Sequence, residues 1–142
     1  MINYEKDFYG WTQEQAALLR AGRLNELDIE NLIEEVETMG RSEKRELESR
    51  LTVLLQHLLK WKYQEGRRSR SWTLTIDVQR IQFRKTLKEN PGLMPLLDEI
   101  IMDAYQLAVV YAARETKISS NVFPATCPWS LEEAVQEDFY PD

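Results

Sequence analysis

The chain holds a single cysteine, Cys127, and a single histidine, His57. A lone cysteine closes no disulfide within the chain. It also excludes zinc sites made of four cysteines, or of two cysteines with two histidines. A lone histidine excludes the paired-histidine helix of metalloproteases and any His-rich metal cage. Di-iron carboxylate bundles need Glu-x-x-His twice, and the residue three before His57 is Leu54. There is no glycine-rich phosphate loop and no G-x-S-x-G elbow. The longest apolar stretches, Leu51–Leu59 and Leu107–Ala113, fall far short of the ~20 residues that cross a bilayer. Residues Met1 to Gly10 lack a basic region followed by an apolar one, so no secretory signal is expected. These absences predict a cytoplasmic protein with no membrane span, no metal and no cofactor.

What is present is helical. The 142 residues are 43% hydrophobic and 30% charged, a composition that folds rather than staying disordered. A chain of this length buries about 70% of its unfolded surface, so one domain over residues 1–142 is expected without staples. Proline is absent before Pro91, and no period-2 run is long enough for a strand. Glycine and proline break the hydrophobic pattern into helical blocks. The first is predicted from a Thr12 cap to Ala21. The second runs from Leu24 to Met39, with Leu24, Leu27, Leu32, Val36 and Met39 as its apolar stripe, broadened by Ile29 and Ile33, and Gly40 as its stop. Ser42 caps the third, where Leu47, Leu51, Leu54, Leu58 and Trp61 repeat at bundle-seam spacing. Ser71 caps the fourth, Trp72–Lys88, and the fifth starts near Leu93. Ser130-Leu131-Glu132-Glu133 has the form of a capped short last helix ending near Asp138. The expectation is an all-α, up-and-down helical bundle with three long central helices and shorter N- and C-terminal helices.

The net charge of −6 is strongly segregated. Residues 1–40 carry net −6, residues 41–92 net +7, and residues 93–142 net −7. The centre is therefore a basic hairpin between acidic segments. One reading is neutralisation within the fold, where exposed pairs contribute only ~0–1 kcal/mol each. The other is a binding surface. Lys60, Lys62, Arg67, Arg68 and Arg70 lie among Trp61, Tyr63 and Trp72, a mixture that suits either an acidic protein or a nucleic acid.

A second candidate set is polar: Glu34, Glu37, Arg41, His57 and Arg80. His57 could act as a general base or take a hydrogen bond as an ordinary bundle histidine. Glu30, Glu34 and Glu37 share a helical face. That row could ligate a hard cation, but more simply pairs with Arg41, Arg45 and Arg50. Asp77 and Arg80 are spaced for an ion pair. Cys127, before Pro128 in an apolar loop, reads as packing.

Several runs together resemble one family. They are Tyr4-Glu5-x-Asp7-Phe8, Asn31-Leu32-Ile33-Glu34-Glu35-Val36-Glu37-x-Met39-Gly40-Arg41-Ser42, and Leu54-Leu55-x-His57-Leu58-Leu59-Lys60-Trp61. Arg70-x-Trp72, Gln79-Arg80 and Phe123-Pro124-x-x-Cys127-Pro128 complete the set. The string is similar to the bacterial domain of unknown function 29 family over essentially the whole chain. The resemblance implies a helical bundle and supplies no catalytic residues. The leading reading is a non-enzymatic protein-interaction module, binding an unknown protein or itself. The alternatives are a nucleic-acid-associated protein using the hairpin around residues 60–72, and an enzyme centred on His57.

Overall fold

A computed structural model describes all residues, 1–142. It contains five α-helices and no strand: α1 (Phe8–Arg20), α2 (Ile29–Tyr63), α3 (Arg70–Glu89), α4 (Leu97–Thr116) and α5 (Leu131–Val135). Short 3₁₀ turns fill several of the connections, including Leu24–Glu26 and Pro91–Leu96. The chain divides into two compact units, Met1–Ser42 and Glu43–Asp142. No helix is long and apolar enough to cross a membrane.

In the first unit, α1 begins one residue after Asp7, whose carboxylate accepts from the Gly10 amide at 2.9 Å. Any Cβ at Gly10 would run into that carboxylate, so the cap needs glycine there. Thr12, the predicted cap, instead sits inside the helix and donates to the Tyr9 carbonyl. Trp11 is the buried anchor, 1% exposed, with the rings of Tyr4 and Phe8 against it. Its indole Nε1 donates to Asp28 at 2.9 Å, and the Asp28 amide donates to the buried Gln15. Tyr4 adds a hydrogen bond to Glu35. Asp28 thus ties α1 to the start of α2.

The second unit is built on the predicted seam. Leu47, Leu51, Leu54 and Leu58 are all fully buried, together with Leu55 and Leu59. Each side chain of that size contributes roughly 1.5–3 kcal/mol on burial. Ile76 and Phe83 come from α3, and Ile100, Ala104, Ala108 and Ala112 from α4. The alanines, one turn apart, fall on one face of α4. Phe123, Trp129 and Ala134 of the carboxy-terminal segment complete the same cluster. Ser130 caps α5 as expected, with both bonds of a capping box to Glu133, and the helix ends at Val135 rather than near Asp138.

Three expectations about boundaries are corrected. Gly40 does not end a helix: α2 runs unbroken through it for 35 residues. An interior glycine costs a helix only about 1 kcal/mol against alanine, and its neighbours here favour helix. α3 is capped by Ser69, not Ser71, and α4 starts at Leu97 because Pro91 and Pro95 hold a 3₁₀ segment before it. The stripe predicted for residues 24–39 is not a buried face. Leu24, Ile29, Ile33, Val36 and Met39 are each more than half exposed.

Candidate functional site

Three members of the polar set lie in the first unit, on α2. Arg41, Glu34 and Glu37 do meet: the guanidinium lies 3.3 Å from Glu34 and 3.8 Å from Glu37, and also donates to Thr38. All three charged groups are exposed and belong to one helix. Pairs of that kind contribute about 0–1 kcal/mol. Nowhere do three or more His, Cys, Asp or Glu side chains gather as a metal site would require.

His57 is half-buried on α2. Its Nδ1 stands 2.8 Å from the Val53 carbonyl, which can only accept, so Nδ1 carries the proton. Burial pushes its pKa below the ordinary value, and the nearby Lys60 ammonium acts in the same direction, against the Val53 bond and Glu115. The ring lines none of five surface hollows. A general base needs a reachable substrate, and none of these five hollows brings one to His57.

Arg80 is 1% exposed and holds no carboxylate; the expected ion pair with Asp77 is absent. Nε donates to the Ala134 carbonyl, Nη1 to Glu137 and Nη2 to Phe139, at 2.9, 2.9 and 2.5 Å. The guanidinium also lies 5.5 Å from the Tyr140 ring. Burial lowers the Arg80 pKa from its usual value. Three fixed donors on one planar group suit three carbonyls of a chain that has just left a helix. Arg84 adds a fourth such bond, to Val135. Sequence spacing carries no signal of this, because the acceptors are main-chain atoms more than fifty residues away.

The basic set divides. Lys60 is buried and its ammonium lies 2.5 Å from Glu115 Oε2 and over the Trp72 ring at 4.7 Å. Gln56 donates to the other Glu115 oxygen at 2.8 Å. Arg68 donates to the Trp61 carbonyl and lies over that indole at 4.9 Å. The Tyr140 ring also packs on Trp61, tilted, 4.7 Å between centroids. Lys62, Arg67 and Arg70 remain exposed and without a carboxylate partner. Glu115 and Gln56, which complete the Lys60 cluster, were not singled out by the sequence.

Cys127 is a half-buried thiol whose pKa is pushed up by burial. It lines an open groove of about 770 Å³ with Met94, Leu97, Met102 and Trp129. A regular exposed apolar row lies on α3. Leu74, Val78 and Ile81 are 51%, 48% and 55% exposed. Their spacing of four and three residues aligns them on one face. Arg70, Lys85 and Lys88 are exposed on the same arc.

A family model described as "Domain of unknown function DUF29" matches residues 3–140. No curated protein and no solved structure matches the chain. The chain belongs to the DUF29 family.

Proposed function

We propose that this chain is a non-enzymatic, cytoplasmic interaction module whose α3 face engages an acidic, amphipathic segment of a protein partner. The observation that carries the reading is the aligned, exposed trio Leu74, Val78 and Ile81 between Arg70 and the Lys85–Lys88 pair. Scattered exposed apolar residues are ordinary on a protein surface. A straight row of them at core spacing, on a helix whose other face is buried, has the form of a helix-docking surface. The flanking bases favour a partner of negative charge and speed its encounter. The arrangement of the polar residues supports the same reading, since His57 Nδ1 and the Arg80 guanidinium are both taken by main-chain carbonyls.

Capture from the source cells tests it. The wild-type chain is expected to retain a protein at one-to-one ratio, and the Val78→Asp/Ile81→Asp variant to lose it while keeping its circular dichroism. Equal recovery on both chains contradicts the reading. Retention of nucleic acid in place of protein, abolished by high salt, favours the alternative through Lys62, Arg67 and Arg70.

A further inference from the structure

Three helix termini meet at one end of the second unit. Glu115, in the last turn of α4, accepts from Lys60 and Gln56 near the end of α2. The Lys60 ammonium also lies over the ring of Trp72, in the first turn of α3. The α2–α3 connection and Lys117, which closes α4, therefore stand at this same end.

Five cations gather there: Lys62, Arg67 and Arg70 from the basic hairpin, and Arg114 and Lys117 from α4. All five are exposed, and none forms an ion pair with a carboxylate. Within residues 60–72, 112–121 and 140–142 the acids are Glu65, Glu115 and Asp142, and Glu115 is taken by Lys60. Neutralisation within the fold does not explain this placement. Arg114 and Lys117 are the two bases of the acidic segment 93–142, and both extend the hairpin's charge instead of pairing with their own segment's acids. Arg70 opens α3, whose first turn holds no acid, so its charge opposes the helix dipole.

The surroundings select the anion. The five cations line none of the five surface hollows, which favours an extended anion over a small enclosed one. No large apolar side chain is exposed within residues 60–72 or 112–121. A protein interface has an apolar core, and a membrane-binding surface buries apolar side chains among lipid. Trp61, Tyr63 and Trp72 are part-buried and already packed, on Tyr140, Phe123 and Lys60, so they offer no platform for stacking unpaired nucleobases. A duplex presents phosphates densely and needs no stacking, and the arginine forks match phosphate geometry.

We infer that this end of the second unit binds a nucleic-acid duplex through its phosphates, with Lys62, Arg67, Arg70, Arg114 and Lys117 as the contacting side chains and no reading of sequence. The net charge of −6 keeps the affinity modest and confines the contact to this end. Leu74, Val78 and Ile81 take no part in it, so it stands whether or not the α3 row holds a protein.

Fluorescence anisotropy of a short labelled DNA duplex, titrated with the full chain at about 50 to 200 mM salt, tests it. The logarithm of the affinity should fall with that of the salt concentration at a slope of about −4.5, from five phosphates. Arg114→Gln/Lys117→Gln should reduce that slope by about 2 and raise the low-salt Kd by about tenfold or more, with the urea midpoint unchanged. Lys85→Gln/Lys88→Gln removes the same charge from the other end of α3 and should leave the Kd within about twofold. Absence of binding at the lowest salt overturns the inference. So does an unchanged Kd in Arg114→Gln/Lys117→Gln, or an equal loss in Lys85→Gln/Lys88→Gln. Binding to the matching single strand, to phosphatidylserine vesicles or to polyglutamate at least as tight as to the duplex also overturns it.

Discussion

Nη2 of Arg80, on α3, donates to the carbonyl of Phe139 at 2.5 Å, and the same guanidinium holds the carbonyls of Ala134 and Glu137. A buried cation thus fixes the segment that follows α5. Removing it leaves three carbonyls without a donor. Hydrogen bonds to charged groups are worth about 1.5–3 kcal/mol each, and they are not additive within one group. Arg80→Met should therefore destabilise the second unit by roughly 3–5 kcal/mol in urea unfolding. Amide exchange over residues 131–140 should accelerate. Arg80→Lys should recover little, because an ammonium cannot span three carbonyls in one plane. Unchanged exchange in this segment would show that Arg80 does not hold it.

His57 gives the chain its only histidine titration. Burial favours the neutral ring, so the folded pKa lies below that of the unfolded chain. Between those two values the unfolded state binds more protons, and stability rises with pH. Stability from this group is therefore whole above pH ~6.5 and is lost as pH falls from there to the folded pKa. Proton NMR of the ring should place its midpoint below 6.5. His57→Gln should flatten the pH dependence of the urea midpoint in that window. A midpoint above 6.5 would place the ring beside a dominant acid rather than in an apolar setting.

Lys60 and Glu115 form the most buried ion pair, with Lys60 nearly enclosed and Glu115 half exposed. Glu115→Ala strands the ammonium beside Trp72 and should cost about 1–3 kcal/mol. Lys60→Met removes the buried charge and should cost less than Glu115→Ala. The double variant should be more stable than the sum of the two singles implies. Additivity in a double-mutant cycle would mean that the pair is not coupled.

Asp28 plays the corresponding part in the first unit. The Asn31 amide and the Trp11 indole both donate to its carboxylate and hold its pKa below the usual range. A carboxyl with a lowered folded pKa stabilises the fold above its unfolded pKa, and that stabilisation goes as pH falls through the folded value. Acidification should thus loosen the first unit and shift the emission of Trp11 to the red. Asp28→Ala should produce the same shift at neutral pH. Trp11 emission can be isolated in a chain whose other three tryptophans are phenylalanine. Unmoved emission in Asp28→Ala would contradict the role given to this carboxylate.

Much of the second unit was legible because its signals are local. The spacing of Leu47, Leu51, Leu54 and Leu58 predicts a seam, and all four are fully buried. The run Ser130-Leu131-Glu132-Glu133 predicts a capped short helix, and Ser130 caps α5. Gly40 misleads because glycine weakens a helix without necessarily stopping it; the stop depends on whether the following residues leave helical geometry. Ile29, Ile33 and Val36 mislead for another reason. Periodicity reports that a face is apolar, not that this chain covers it. The ties of Arg80 and Lys60 join residues more than fifty positions apart, and one chain's spacing holds no record of them.

The α3 face is the centre of the functional account, and a binding isotherm tests it most directly. The partner captured by the wild-type chain is purified and titrated with wild type and with the Val78→Asp/Ile81→Asp variant. Truncating or charging a central apolar anchor typically costs 2 kcal/mol or more. The variant should therefore raise the Kd by about 30-fold or more. Arg67→Ala/Arg70→Ala should weaken binding less and mainly lower its salt dependence. An unchanged Kd for Val78→Asp/Ile81→Asp, in a variant that unfolds at the wild-type urea concentration, would contradict the account.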